Sequence, residues 1–213
     1  SEMFVPYQDP DTHWFYRAYF DMGEYGFGNL ATELKGNDCP PTAVYQDVVL
    51  HTASGEAFTA ENRVCIFEFD PGYPSWRHYE SLYEDVPIIV KHNSRRATNL
   101  VVRMAAVIGN YDYFQDYIFQ QDGRIRIRLI TTGIDATKGV FSASLDDPRA
   151  AAETQTGTLI APYRVGINHD HFFSYRIDMD VDGADNNFVR QQLVASQQPT
   201  DAPRQGIWMV QQE

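Results

Sequence analysis

The sequence predicts an all-β fold, on three observations: a hairpin built around Asp-Gly, a long apolar run of strand-forming residues, and poor helix signals. Tyr117-Ile118-Phe119 leads into Asp122-Gly123 and then into Arg124 to Ile130. Asp-Gly supplies the positive φ angles that a tight hairpin turn needs. Beyond it, Arg124, Arg126 and Arg128 alternate with Ile125 and Ile127, the two-residue period of a half-exposed strand. Leu100 to Ile108 is almost continuously apolar and reads as a strand buried on both faces. Thirteen Tyr and thirteen Phe add to the β bias.

From the start of the chain, Gly23, Gly26 and Gly28 interrupt the early segment with turns. Val64 to Phe69 and Phe172 to Val181 are further strand candidates. Only Asp146 to Glu153, with Pro148 near its start and Ala150 to Ala152 following, could form a short helix, or else a loop. There is no internal repeat and no long linker, so one β-rich domain, or a slice of one, is the economical reading.

A chain of 213 residues can bury one sizeable core or part of a larger one. Hydrophobic residues at 43% and charged residues at 22% are ordinary for a globular protein. No apolar run approaches the length of a membrane-spanning helix. A net charge of -12 argues against a nucleic-acid partner, because phosphate binding needs a basic surface. That acidity keeps a protein soluble and would favour the approach of a cationic substrate. Cys39 and Cys65 are too few for a four-ligand zinc site, and neither has a CxxC companion. Composition leaves one disulfide and two buried thiols equally open.

Two motifs carry candidate chemistry. In Asn168-His169-Asp170-His171, residues two apart on an extended strand project to one face, so both imidazoles can point at one ion. Imidazole suits copper, zinc, iron or nickel, and two histidines are an incomplete set. The second motif, Gly109-Asn110-Tyr111-Asp112-Tyr113, follows the apolar run and by itself reads as a polar strand end or turn.

Together these motifs resemble the signature of the copper amine oxidases. The resemblance implies that Tyr111 is the precursor of topaquinone, that Asn110 helps to orient it, and that His169 and His171 are two of three copper ligands. The third histidine is expected beyond the residues printed here. Where the family has threonine ahead of the modified tyrosine, this chain has Val107. Tyr19-Phe20-Asp21-Met22-Gly23-Glu24-Tyr25-Gly26 looks like the family's catalytic-base region, with Asp21 as base and Tyr19 as gate of the substrate channel. Tyr7 falls on the tyrosine that hydrogen-bonds a quinone oxygen. Asp38-Cys39-Pro40-Pro41 and Cys65 resemble the disulfide-bearing segment, which favours a Cys39–Cys65 bridge.

Asp178-Met179-Asp180-Val181-Asp182-Gly183 starts like an EF-hand loop, but Val189 stands where the bidentate glutamate is required. The resemblance instead implies that Asp178, the Met179 carbonyl and Asp180 belong to a second metal site, for calcium or manganese. The same resemblance implies a large β-sandwich catalytic domain, of which residues 1–213 would be a single partial domain truncated at both ends and inactive alone. The implied reaction converts a primary amine and oxygen to an aldehyde, ammonia and hydrogen peroxide. A homodimer and an extracellular or peroxisomal location are expected with it. Two rivals are a non-catalytic metal-binding β module of the same fold, and an iron or zinc enzyme using the histidine pair with a distant carboxylate.

Overall fold

The computed structural model describes residues 2–4, 19–21, 27–80, 92–181, 183–185 and 187–213, with side chains from residue 28 onward. The chain divides into two compact units, Ser1–Phe173 and Ser174–Glu213. Strands dominate the first, as the sequence predicts, and the second carries one strand pair. Among the described residues no helix is long and apolar enough to cross a membrane.

In chain order the first unit holds β1 (Glu2–Phe4), β2 (Tyr19–Asp21), β3 (Val44–His51), β4 (Ala57–Phe69), β5 (Pro74–Tyr79), β6 (His92–Arg96), β7 (Asn99–Ile108), β8 (Tyr111–Phe119), β9 (Ile125–Gly133) and β10 (Thr137–Gly139). A single helical turn, α1 (Ala150–Glu153), precedes β11 (Gly157–Ala161), β12 (Arg164–Ile167) and β13 (Asp170–Phe172). Short 3-10 turns cover Phe27–Leu30 and Gly36–Asp38. The second unit is a hairpin of β14 (Gln191–Gln197) and β15 (Gly206–Gln212).

The centre of the first unit is a five-stranded antiparallel sheet in the order β3-β4-β7-β8-β9. Smaller sheets run β10-β12-β11 and β13-β1-β2. Gly109-Asn110 joins β7 to β8 as a two-residue turn, with Ile108 opposite Tyr111. Gly109 takes φ +61° at the first central position, where a side chain would be strained, so the turn has the type II′ form that suits the twist of paired strands. The turn between β8 and β9 differs from the expectation. Of Asp122-Gly123 only Gly123 has a positive φ, and the bonds Gly123 N–H to Gln120 O and Gln120 N–H to Arg124 O close a three-residue loop.

One face of the large sheet builds the core. Leu34, Cys39, Cys65, Phe67, Val101, Ala105 and Ile118 cluster there, with Ala43, Phe69 and Phe114 packed against them. Cys39 and Cys65 form a disulfide within this cluster. The expectation that Leu100 to Ile108 is buried on both faces holds toward its end, where Ala105, Ala106 and Ile108 are buried, and fails toward its start. Val101 is fully buried, but Leu100 is 45% exposed, and Met104 opens onto a groove it shares with Leu50 and Val64. The strand expected over Phe172 to Val181 also fails beyond Phe172. A strand needs a neighbour's backbone, and β13 pairs with β1 only from Asp170 to Phe172. Ile177 and Val181 then stand exposed.

Candidate active site

Strand periodicity decides what β8 presents on each side. Tyr111 and Tyr113 fall on one face, while Phe114, Asp116 and Ile118 fall on the core face with Arg103, Ala105 and Val101 opposite them. On the tyrosine face Ile108 and Tyr113 form a second apolar cluster, with Leu30, Tyr111 and Phe173 packed around it. Tyr113 is fully buried.

His169 precedes β13 and His171 lies within it, and the chain brings both against the tyrosines. The two imidazole centroids are 4.9 Å apart, and the Tyr111 ring lies 5.4 Å from His169 and 5.1 Å from His171. The Tyr111 hydroxyl is 2.9 Å from His169 Nε2 and accepts the Ala136 N–H at 2.8 Å. His169 Nδ1 is 2.7 Å from the Ile167 carbonyl, which can only accept, so Nδ1 carries a proton, and in the neutral ring Nε2 keeps its lone pair. The phenol therefore donates to His169. His171 Nδ1 lies 2.9 Å from the Tyr113 hydroxyl.

Burial dominates the electrostatics of the two tyrosines and His171. Burial pushes the Tyr111 pKa up; the Ala136 hydrogen bond partly opposes this, and the Asp135 charge adds to it. Burial, with Tyr111 adding to it, pushes Tyr113 up to about 12. For His171 burial and the neighbouring His169 lower the pKa, favouring the neutral imidazole that a metal requires.

The wall beside Tyr111 comes from the end of β9. Thr131, Thr132, Gly133, Asp135, His169, His171 and Tyr111 line a cavity of about 270 Å³. Gly133 pairs with Tyr111 at φ +107°, and a Cβ there would stand 2.3 Å from the Asn110 carbonyl and 2.9 Å from Tyr111 Cα. Only glycine lets the two strands approach this closely. The Asn110 carbonyl also accepts the Ile134 N–H at 2.7 Å, so the turn before the tyrosine is fixed to the segment behind β9.

The other sequence-derived residues fare differently. Tyr7 lies outside the described residues. Tyr19 and Asp21 are described by backbone alone, on β2, in the sheet that also carries His171 on β13. In the second unit Asp178 pairs with Arg176 at 3.3 Å, and Met179 is exposed. Among the described residues Asp178 and Asp180 join no group of three His, Cys, Asp or Glu side chains able to hold an ion. Sequence reasoning missed Gly133, the Ala136 N–H, Asp135 and Tyr113. Tyr113 had a signal: it stands two residues from Tyr111, as His171 does from His169.

The histidine pair does fit copper as two ligands. Each Nδ1 is held by the protein, one on a carbonyl and one on a hydroxyl, an outer-shell arrangement that directs Nε2 to a metal. A third protein ligand does not come from the described residues.

Comparison with known proteins agrees with this geometry. The profile described as "Copper amine oxidase, enzyme domain" matches residues 1–213. "Primary amine oxidase 2" of Arabidopsis thaliana is 39% identical over 211 residues, covering 98% of this chain and 31% of that protein. "Amine oxidase [copper-containing] alpha 2, peroxisomal", also from Arabidopsis thaliana, is 38% identical over 98% of this chain and 30% of its own length. A copper-containing benzylamine oxidase from Hansenula polymorpha superposes with a TM-score of 0.73 at 30% identity, across 100% of this chain and 31% of that one. The chain thus spans under a third of the length of these relatives. With residues 1–213 matched to the family's enzyme domain, the chain belongs to the copper amine oxidase family and has its all-β fold.

Proposed function

We propose that this chain contributes the cofactor-forming part of a primary-amine oxidase, whose whole protein converts RCH2NH2, O2 and H2O to RCHO, NH3 and H2O2. The observation that carries the reading is the 2.9 Å contact of the Tyr111 hydroxyl with His169 Nε2, with the His171 ring 5.1 Å from the same phenol. His169 and His171 would hold copper, and Tyr111 would be the residue converted to topaquinone. Copper and the quinone supply the electron sink and the reactive carbonyl that ordinary side chains lack.

The chain's own residues do the positioning and the proton handling. The Ala136 N–H and the Ile167 carbonyl fix the phenol and the His169 ring relative to each other. Asn110 holds the turn that aims Tyr111 into the cluster. Asp21, as carboxylate, takes a proton from the α carbon of the bound amine, a role that needs its pKa matched to the working pH. Tyr19 gates the amine's approach and Tyr7 donates a hydrogen bond to the cofactor. Family resemblance supports these three roles.

Residues 1–213 are read as part of a larger catalytic domain, inactive by itself. A homodimer belongs to the same reading. The peroxisomal name of one relative supports a peroxisomal location, and the disulfide supports an oxidising, extracellular one. The test is peroxide release from a panel of primary amines by the copper-loaded, full-length protein. Release by wild type and its loss in Tyr111→Phe and Asp21→Asn support the reading; wild-type protein that binds copper and oxidises no amine contradicts it.

A further inference from the structure

We propose that Tyr113 is a positioning residue for the metal site, its hydroxyl holding the His171 ring by Nδ1 so that Nε2 is the nitrogen offered to copper. The inference rests on the reading that His169 and His171 bind the metal.

The Tyr113 hydroxyl and His171 Nδ1 are 2.9 Å apart, and the ring centroids 5.7 Å apart in an edge arrangement. Tyr113 is wholly buried, and its ring packs against Phe173 at 5.7 Å. Packing alone would be met by phenylalanine, whereas a buried hydroxyl needs partners, and among the described residues a ligand imidazole is one. Its companion His169 has its Nδ1 held differently, by the Ile167 carbonyl, which can only accept. A hydroxyl both donates and accepts. It can give its proton to Nδ1 in the metal-free protein. It can equally accept the Nδ1–H that a histidine ligated through Nε2 must carry. The two ligands are therefore held unequally: one tautomer is dictated by backbone, the other is free to follow the metal.

The test compares full-length wild type with Tyr113→Phe, each stripped of copper and titrated with Cu(II) against a competing chelator, followed by electron paramagnetic resonance of the bound copper. Outer-shell substitutions at metal sites weaken binding about 10- to 100-fold, and a loss of about tenfold is expected here. The copper signal should change as well, while circular dichroism stays that of wild type. Should the phenylalanine variant not fold, site-specific 3-fluorotyrosine at position 113 keeps the size and alters only the hydroxyl's hydrogen-bonding strength; a shifted copper signal is then expected. Wild-type affinity with a superimposable signal in a folded variant overturns the proposal and leaves copper binding intact. Absence of copper binding in wild type overturns the reading beneath it.

Discussion

Strand β8 buries polar side chains on both faces, and the two clusters are built in different ways. On the core face Asp116, fully buried, is bonded by Arg103 Nε at 2.7 Å and Arg103 Nη2 at 2.9 Å, and by Arg128 Nε at 2.9 Å and Nη2 at 2.6 Å. Arg103 continues to the Asp38 carbonyl at 2.6 Å, beside the Cys39–Cys65 bridge. Every contact there is charged, and the carboxylate's acceptor sites are taken up. On the opposite face Tyr111 shares a hydrogen bond with His169, and Tyr113 one with His171. The core cluster is saturated and can only hold the sheet together, whereas on the tyrosine face His169 Nε2 meets a phenol hydroxyl and His171 is held through Nδ1. One strand thus separates stability from chemistry by side-chain parity.

The comparison predicts that damage on the core face unfolds the protein, while damage on the tyrosine face leaves it folded and inactive. Replacing Asp116→Asn leaves two buried or half-buried guanidinium groups under-compensated, and removal of one partner of such a set costs about 4 kcal/mol. Denaturant unfolding checks this. The same carboxylate adds a pH signature. Burial opposes its charge, but the hydrogen bonds from Arg103 and Arg128 outweigh that, and its pKa is lowered. Its stabilisation is therefore complete above the unfolded carboxylate value of about 3.9 and is lost as pH falls through the lower folded value. Acid unfolding of Asp116→Asn should lack that component.

Removing both cysteines, 26 residues apart, is expected to cost about 3 kcal/mol by the same denaturant assay, with no change in the Tyr111–His169 contact. Gly133→Ala sharpens the boundary, because the added methyl meets the Asn110 carbonyl and the Tyr111 backbone. A cost of about 2 kcal/mol is expected from the strained φ, with a fall in the fraction of Tyr111 converted to quinone, read by peptide mapping. Tyr111→Phe is the smallest insult to stability, about 1 kcal/mol for a hydroxyl and its bonds, yet it should abolish quinone staining entirely. A Tyr111→Phe variant that unfolds, or an Asp116→Asn variant as stable as wild type, would break the division between the faces.

The strands around the tyrosine motif were legible because their cues are local: alternation along β9, an apolar β7, and glycine at both turns. Cys39 and Cys65 were undecided by composition, and family resemblance led to the pairing that the core shows. Arg128 belonged to the polar set of an alternating, half-exposed strand, but the register sets it directly opposite Asp116 on the core face, which the period alone does not reveal. Gly133 and the Ala136 N–H matter only because β9 runs antiparallel to β8 with Tyr111 opposite Gly133. No window of sequence contains that pairing. The lost strand after Phe172 has the same cause: its composition suits a strand, but pairing partners are a property of the fold.

The central claim is that Tyr111, held against His169 and His171, is the residue that becomes the cofactor. Metal-free full-length protein, given Cu(II) in air, is followed by visible absorbance and then digested for mass mapping of the Tyr111 peptide. The account predicts a copper-dependent chromophore with the oxidised residue at Tyr111, absent in His169→Ala. A protein that binds copper through these histidines while the Tyr111 peptide keeps the mass of unmodified tyrosine would contradict it.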